Sequence, residues 1–193
     1  MATGWTARTT AALVVAAALL SGCSEQQPAN ETLPQTTAEP SQTAEALPPL
    51  GPPDLPMPPE ARTQDAEGAE AFVRYYVALI NRTSTIMDAA PMREFSDECA
   101  DCDRIAADTE EDAAAGYRYR GGELTITWIQ ALEPDSDAEV AFLADQAALS
   151  VLDAAGQPVP ELTFEAVDQV SSGASLRWDS ELASWLITEL TLG

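Results

Sequence analysis

The chain has no lysine and no histidine: its nine basic residues are all arginine, set against 32 acidic ones. That composition excludes a histidine-centred triad, a histidine-rich metal site and a Schiff-base lysine. A formal net charge of -23 also leaves no basic footprint for a nucleic acid. Long apolar runs are missing too. The apolar stretch Ala11 to Leu20 covers about 10 residues, too few to span a bilayer core of about 30 Å. Cysteine is scarce, with three in 193 residues. What remains is 46% apolar, enough for a packed core in part of the chain.

That short apolar run belongs to a leader. Met1 to Gly22 has an n-region ending at Arg8, the apolar h-region, and the small residues Ser21 and Gly22 before Cys23. Leu20-Ser21-Gly22-Cys23 resembles the bacterial lipobox, after which the cysteine is diacylated and becomes the first mature residue. The alternative is a soluble secreted protein with an incidental cysteine at the cleavage site. Each buried methylene of an acyl chain contributes about 0.8 kcal/mol, so two chains hold firmly where one is marginal. The expected location is the outer face of the cytoplasmic membrane, lipid-anchored and exposed at the cell surface, with the membrane as the first partner.

Ten of the 14 prolines lie between Pro28 and Pro59, among Thr, Gln, Ser, Ala and Glu. Such a stretch buries too little apolar surface to offset its ordering entropy. It predicts a disordered tether over 23–66, beginning at the acylated Cys23, and a folded domain over 67–193. Most of the negative charge falls in that domain. Calcium binding and a basic partner are the functional readings of that acidity, but no stretch follows a calcium-loop spacing, and the favoured reading is solubility and repulsion from anionic lipid and wall polymer.

Phe72, Tyr75, Tyr76, Leu79 and Ile80 recur at helical spacing and predict a helix from about Ala66 to Ile86, with Asp65 as its N-cap. Pro91 to Phe95 suggests a short helical turn, and a third helix is expected over Asp101 to Ala115. From Tyr117 the period changes to two. Leu124, Ile126 and Trp128 are expected on one side of a strand, with Thr125 and Thr127 opposite. Pro134 to Asp137 forms a turn, and Val140 to Leu152 returns as one strand. Leu162 to Ala166 and Leu176 to Trp178 alternate again. A hairpin at Asp179 to Ala183 then leads into Trp185 and Ile187. Helices first and strands afterwards mean α+β: three N-terminal helices packed on a curved antiparallel sheet of about four strands.

That order resembles the nuclear-transport-factor-2-like fold, a cone of three helices wrapped by a bent sheet. The ending Leu176-Arg177-Trp178-Asp179 with Ala183-Ser184-Trp185-Leu186-Ile187 looks like its last hairpin. More narrowly, Pro58 to Gly122 resembles a family of actinobacterial lipoproteins of unknown function. The matching residues are Pro58-Pro59-Glu60-Ala61, Gly68 to Tyr76, Leu79-Ile80-Asn81, Ser96-Asp97 with Cys99 and Cys102, and Gly121-Gly122. The resemblance implies a fold and a location and carries no activity.

With Cys23 acylated, Cys99 and Cys102 remain as an even pair, which an oxidising envelope would join as a disulfide at the start of the third helix. A redox site would need a strand before the helix and a lowered thiolate pKa, and Asp97, Glu98, Asp101 and Asp103 work against the latter. Two cysteines without histidine could complete a tetrahedral zinc site only with carboxylates, and the pair reads as a staple, so no metal and no cofactor is expected. A cone leaves a cavity between helices and sheet, for which Tyr75, Tyr76, Tyr117 and Trp128 are the candidate lining. Asp88 and Tyr119 are further polar groups within reach of it. Both Tyr75 and Tyr76 also sit on the apolar stripe, where a tyrosine is more often core than catalytic. No acid–base pair stands out by spacing, so no catalytic residue is assigned. Arg118 and Arg120 are expected to pair with nearby carboxylates. The reading is a non-catalytic binding or partner-interaction module whose partner is an envelope protein, a wall polymer or a small ligand. The alternative is an isomerase- or hydrolase-like enzyme using the cone cavity. A homodimer through the open sheet face is compatible with this fold, though no motif encodes it.

Overall fold

The Asp65 carboxylate accepts a hydrogen bond from Gly68 N at 2.7 Å, capping α1, Ala66–Ile86, where the sequence places it. Met87 ends that helix in the left-handed region and returns its N–H to Thr83 O. The short α2, Ala90–Arg93, and α3, Ala100–Ala115, follow. The computed structural model describes residues 47–132 and 136–193. The expected leader, Cys23 and residues 24–46 of the expected tether lie outside the described residues, as do positions 133–135, which include part of the turn expected at Pro134 to Asp137. No described helix is long and apolar enough to cross a membrane.

Cys99 is the N-cap of α3, and Cys102 stands one turn in, at disulfide distance, with the two Cα atoms 5.2 Å apart. Both cysteines are buried beside the α2–α3 junction.

The strands correct the expectation of a single sheet of about four. Among the described residues, seven strands form two antiparallel sheets. The larger has the order β2 (Leu124–Ala131), β3 (Asp137–Gln146), β6 (Val167–Asp179), β7 (Ser184–Leu192). The smaller has the order β1 (Arg118–Gly121), β4 (Leu149–Leu152), β5 (Pro158–Phe164). The expected return strand Val140 to Leu152 is really β3 followed by β4. Gln146 pairs with Val167 and Leu149 with Phe164, so β3–β4 and β5–β6 are one long ribbon. It bends where Ala147 N donates to Glu123 O and Ala148 O accepts from Gly122 N. Those bonds tie the ribbon to the β1–β2 link and carry its tip into the second sheet.

The four-stranded sheet packs one face against the helices. Ala138, Val140, Phe142 and Ala144 of β3 meet Leu176 of β6 and Trp185, Ile187 and Leu190 of β7 in a core shared with Phe72, Tyr76 and Leu79 of α1. Trp185 is fully buried, edge-on to Trp178 at 5.1 Å between ring centres. Two side chains of α1 fix the edge strand β2 at both ends. Asn81 exchanges hydrogen bonds with Leu124 N and O, each at 2.9 Å, and Glu70 accepts from Ala131 N at 3.0 Å.

The tether boundary also moves. Leu47–Gly193 form one compact unit, so the domain begins at Leu47 and not at residue 67. Residues 47–65 lie along α1 as a strap, burying Pro52, Met57 and Ala61 and including a 3-10 turn at Pro59–Arg62. Arg62 donates to Pro48 O, Leu182 O and Ala183 O, and Trp185 Nε1 donates to Thr63 O, so the strap is bonded to the β6–β7 hairpin. Close approach demands glycine at Gly68, where a Cβ would lie 2.1 Å from Thr63 O. The prolines that suggested disorder here hold an extended segment whose burial is supplied by α1 and not by itself.

Candidate binding face

The four aromatic residues proposed to line one cavity occupy three separate places. Tyr75 and Tyr76 are core residues of α1, and burial pushes each hydroxyl up to about 12. Tyr75 Oη still reaches Leu55 O at 3.3 Å, whereas the buried Tyr76 hydroxyl has no hydrogen-bond partner among the described residues. Tyr117 is half-buried at the junction of α3 and β1, its N–H on Asp112 O. Nearby, Tyr119 Oη donates to Asp112 Oδ2 at 2.5 Å; burial, then that bond, drives its ionisation above the ordinary tyrosine range. Asp88 caps the turn before α2 through Ala90 N and accepts from Arg82. Arg118 and Arg120 form no ion pair among the described residues, against expectation; Arg118 donates to Tyr117 O. Arg82, Arg93, Arg104 and Arg177 hold the ion pairs instead.

Trp128 is the informative case. Ile126 pairs with Ala144 and Trp128 with Leu143, so a β-bulge inserts one extra residue between them. Side chains alternate across a strand with period two, and one added residue sends everything beyond it to the opposite face. Leu124 and Ile126 therefore face the helices, while Trp128 turns to the outer face and is 47% exposed. The expectation that all three share a side fails for this reason.

The outer face of the four-stranded sheet carries a groove of about 390 Å³ running across all four strands. Cross-strand register orders its lining into rows. Leu143 pairs with Trp128 and with Ser171, bounding it on one side. The next row is Gln130, Ala141, Gly173, Thr191, and the third is Glu139, Ser175, Glu189. Leu132, 65% exposed, stands at the edge. The middle row is low because its central positions are alanine and glycine. Nothing in the backbone requires glycine at Gly173: a Cβ there would meet only Val140 O, at 3.7 Å, an ordinary contact. Its missing side chain makes the floor.

Chemically the groove offers an exposed indole, an aliphatic floor, the hydroxyls of Ser175 and Thr191, and two carboxylates. Ser175 Oγ donates to Glu139 Oε2 at 3.0 Å. Among the described residues no cluster of three or more His, Cys, Asp or Glu is placed to hold a metal ion. Sequence reasoning named Trp128 but missed Gly173, Ser175, Glu139 and Glu189. Their only sequence signal is a small or polar residue at every second position, which any solvent-facing strand shows.

Residues 48–191 match the family of unknown function DUF6318, and the chain belongs to that family. No curated protein matches it. Among solved structures, the intermembrane space region of the chloroplast protein ARC6 is similar over 66% of this chain and 95% of that one, at 17% identity and a TM-score of 0.49. The helical cell shape determining protein Pgp2 of Campylobacter jejuni is similar over 65% of this chain and 41% of that one, at 12% identity and a TM-score of 0.40. Aln2 of a Streptomyces species is similar over 74% and 92%, at 13% identity and a TM-score of 0.39.

Proposed function

We propose that this member of a family of unknown function is a lipid-anchored envelope protein whose domain binds a partner on the outer face of its four-stranded sheet. The observation that carries the binding reading is that face itself: a groove of about 390 Å³ with an exposed Trp128 and a floor kept open at Gly173. The enzyme alternative asks for convergent acid and base groups in one cavity, and the tyrosines proposed for it are dispersed. The Leu-Ser-Gly-Cys23 motif supports the anchor, with an actinobacterial lipoprotein as the type. Helices α1 to α3 on one side of a bent sheet support the nuclear-transport-factor-2-like cone as the description of the fold.

A photo-reactive amino acid at Gln130 of the full-length chain, in its own cells, tests the face. A discrete cross-linked product is expected at Gln130, absent with the same group at Glu67 of α1 and abolished by Gly173→Val. Equal products at both positions, or none at Gln130, overturn the reading. For the anchor, Cys23→Ala is expected to move the protein out of the membrane fraction; unchanged tight association contradicts it.

A further inference from the structure

We infer that the groove receives a cationic side chain, arginine or lysine, from an extended segment of a partner protein, its charged end between Glu139 and Glu189 and its aliphatic stem over Ala141 and Gly173. This rests on the binding reading above and names the chemistry of what binds. Glu139 and Glu189 each pair with Ser175, so the three lie in one row, with the two acids on either side of a single central strand. Neighbouring strands are about 4.8 Å apart, which places the two glutamate backbones about 10 Å from each other. That span accommodates a guanidinium or ammonium between two carboxylates. Ser175 donates to the Glu139 carboxylate, while the Glu189 carboxylate has neither a hydrogen bond nor an ion pair among the described residues.

Among the described residues no ion pair supplies a counter-charge for Glu139 or Glu189. The basic residue in the next row is Arg177, which pairs across the ladder with Asp137 and is ion-paired to Asp97. A long side chain entering between the glutamates would run its methylenes along the small floor, where Ala141 and Gly173 pair in the adjacent row. Trp128 supplies an aromatic surface in the same groove, favourable to a cation or to the apolar residues flanking it.

Charge also selects among occupants. A second copy, at net charge -23, would bring the same acidic row to meet this one. Residues 24–46 of this chain contain four glutamates and no basic residue, so they offer no cation either. Anionic lipid and anionic wall polymer are repelled. A basic segment of another protein is the occupant that both the row and the global field favour.

The test uses two synthetic peptides, acetyl-Gly-Leu-Arg-Leu-Gly-amide and the same peptide with citrulline for arginine, titrated into the isotope-labelled full-length chain in detergent. Citrulline keeps the shape of arginine and removes its charge. The arginine peptide is expected to shift the Gly173 and Ser175 amides and the Trp128 indole. The double variant Glu139→Gln, Glu189→Gln should weaken it by about tenfold or more, and the citrulline peptide should bind weaker by a similar factor. Equal binding of both peptides in the groove overturns the cation while leaving the binding face intact. Shifts spread equally over the acidic surface of α3, or no shifts, overturn it too. The Gln130 cross-link, which does not depend on charge, reports separately whether the face binds anything.

Discussion

The two faces of the four-stranded sheet share every backbone hydrogen bond yet are built to different rules. Behind the sheet, alternate residues are Val140, Phe142, Leu176, Trp185 and Ile187, all buried among the helices. In front, the intervening residues are Glu139, Ala141, Gly173, Ser175 and Glu189, with Trp128 brought among them by a bulge. The inner set is explained by packing. The outer set is not required by the fold, which has room for a side chain at Gly173 and no core need for an exposed tryptophan. Features that stability does not call for are where function is best sought.

The most direct attempt to break this contrast compares the two tryptophans. Trp185→Ala should cost about 3–5 kcal/mol by chemical denaturation, whereas Trp128→Ala should stay within about 0.5 kcal/mol of the parent. Equal losses would mean the outer face is core after all. Next in size is Gly68→Ala on the helix side, where the new Cβ meets the Thr63 carbonyl. A loss of about 1–3 kcal/mol is expected, together with faster proteolysis in residues 47–63; an unchanged cleavage rate would show that the strap does not depend on that contact.

Opening the Cys99–Cys102 bond should cost about 2 kcal/mol or less, because so short a loop restricts the unfolded chain little. Mass measurement after alkylation of unreduced protein checks that the bond exists, and two labelled thiols would refute it. Alkali should act on the inner side as well. Tyr75 and Tyr76 keep their protons to about 12 in the folded protein, against an ordinary 10 when unfolded. Their contribution is complete below pH 10 and declines as pH rises from 10 through 12, because the unfolded chain releases protons first. Denaturant midpoints measured across that range should fall, and fall less in Tyr76→Phe. The smallest effect is expected for Gly173→Val: stability within about 0.5 kcal/mol, with the Gln130 cross-link lost. A large stability loss there would put the floor under structural constraint and erase the contrast.

Much of the helical layer was legible in the chain. The stripe from Phe72 to Ile80 and the Asp65 cap define α1 through contacts three and four residues apart, so local sequence suffices. The hairpin before Trp185 was legible for the same reason. The strap was not, because Met57 and Ala61 have no periodicity of their own and are buried by α1 and the β6–β7 hairpin. Nor was the bend at Ala147 and Ala148, which depends on bonds to Gly122 and Glu123 from another strand.

By itself, then, the sequence determined the acidic composition, the helix-then-strand order and the spacing of the cysteine pair, all properties of composition or near neighbours. Tertiary structure alone decided that Trp128 faces outward and that Glu139, Ser175 and Glu189 share a row. Those facts depend on register between strands distant in the chain, where a single bulged residue exchanges inside for outside.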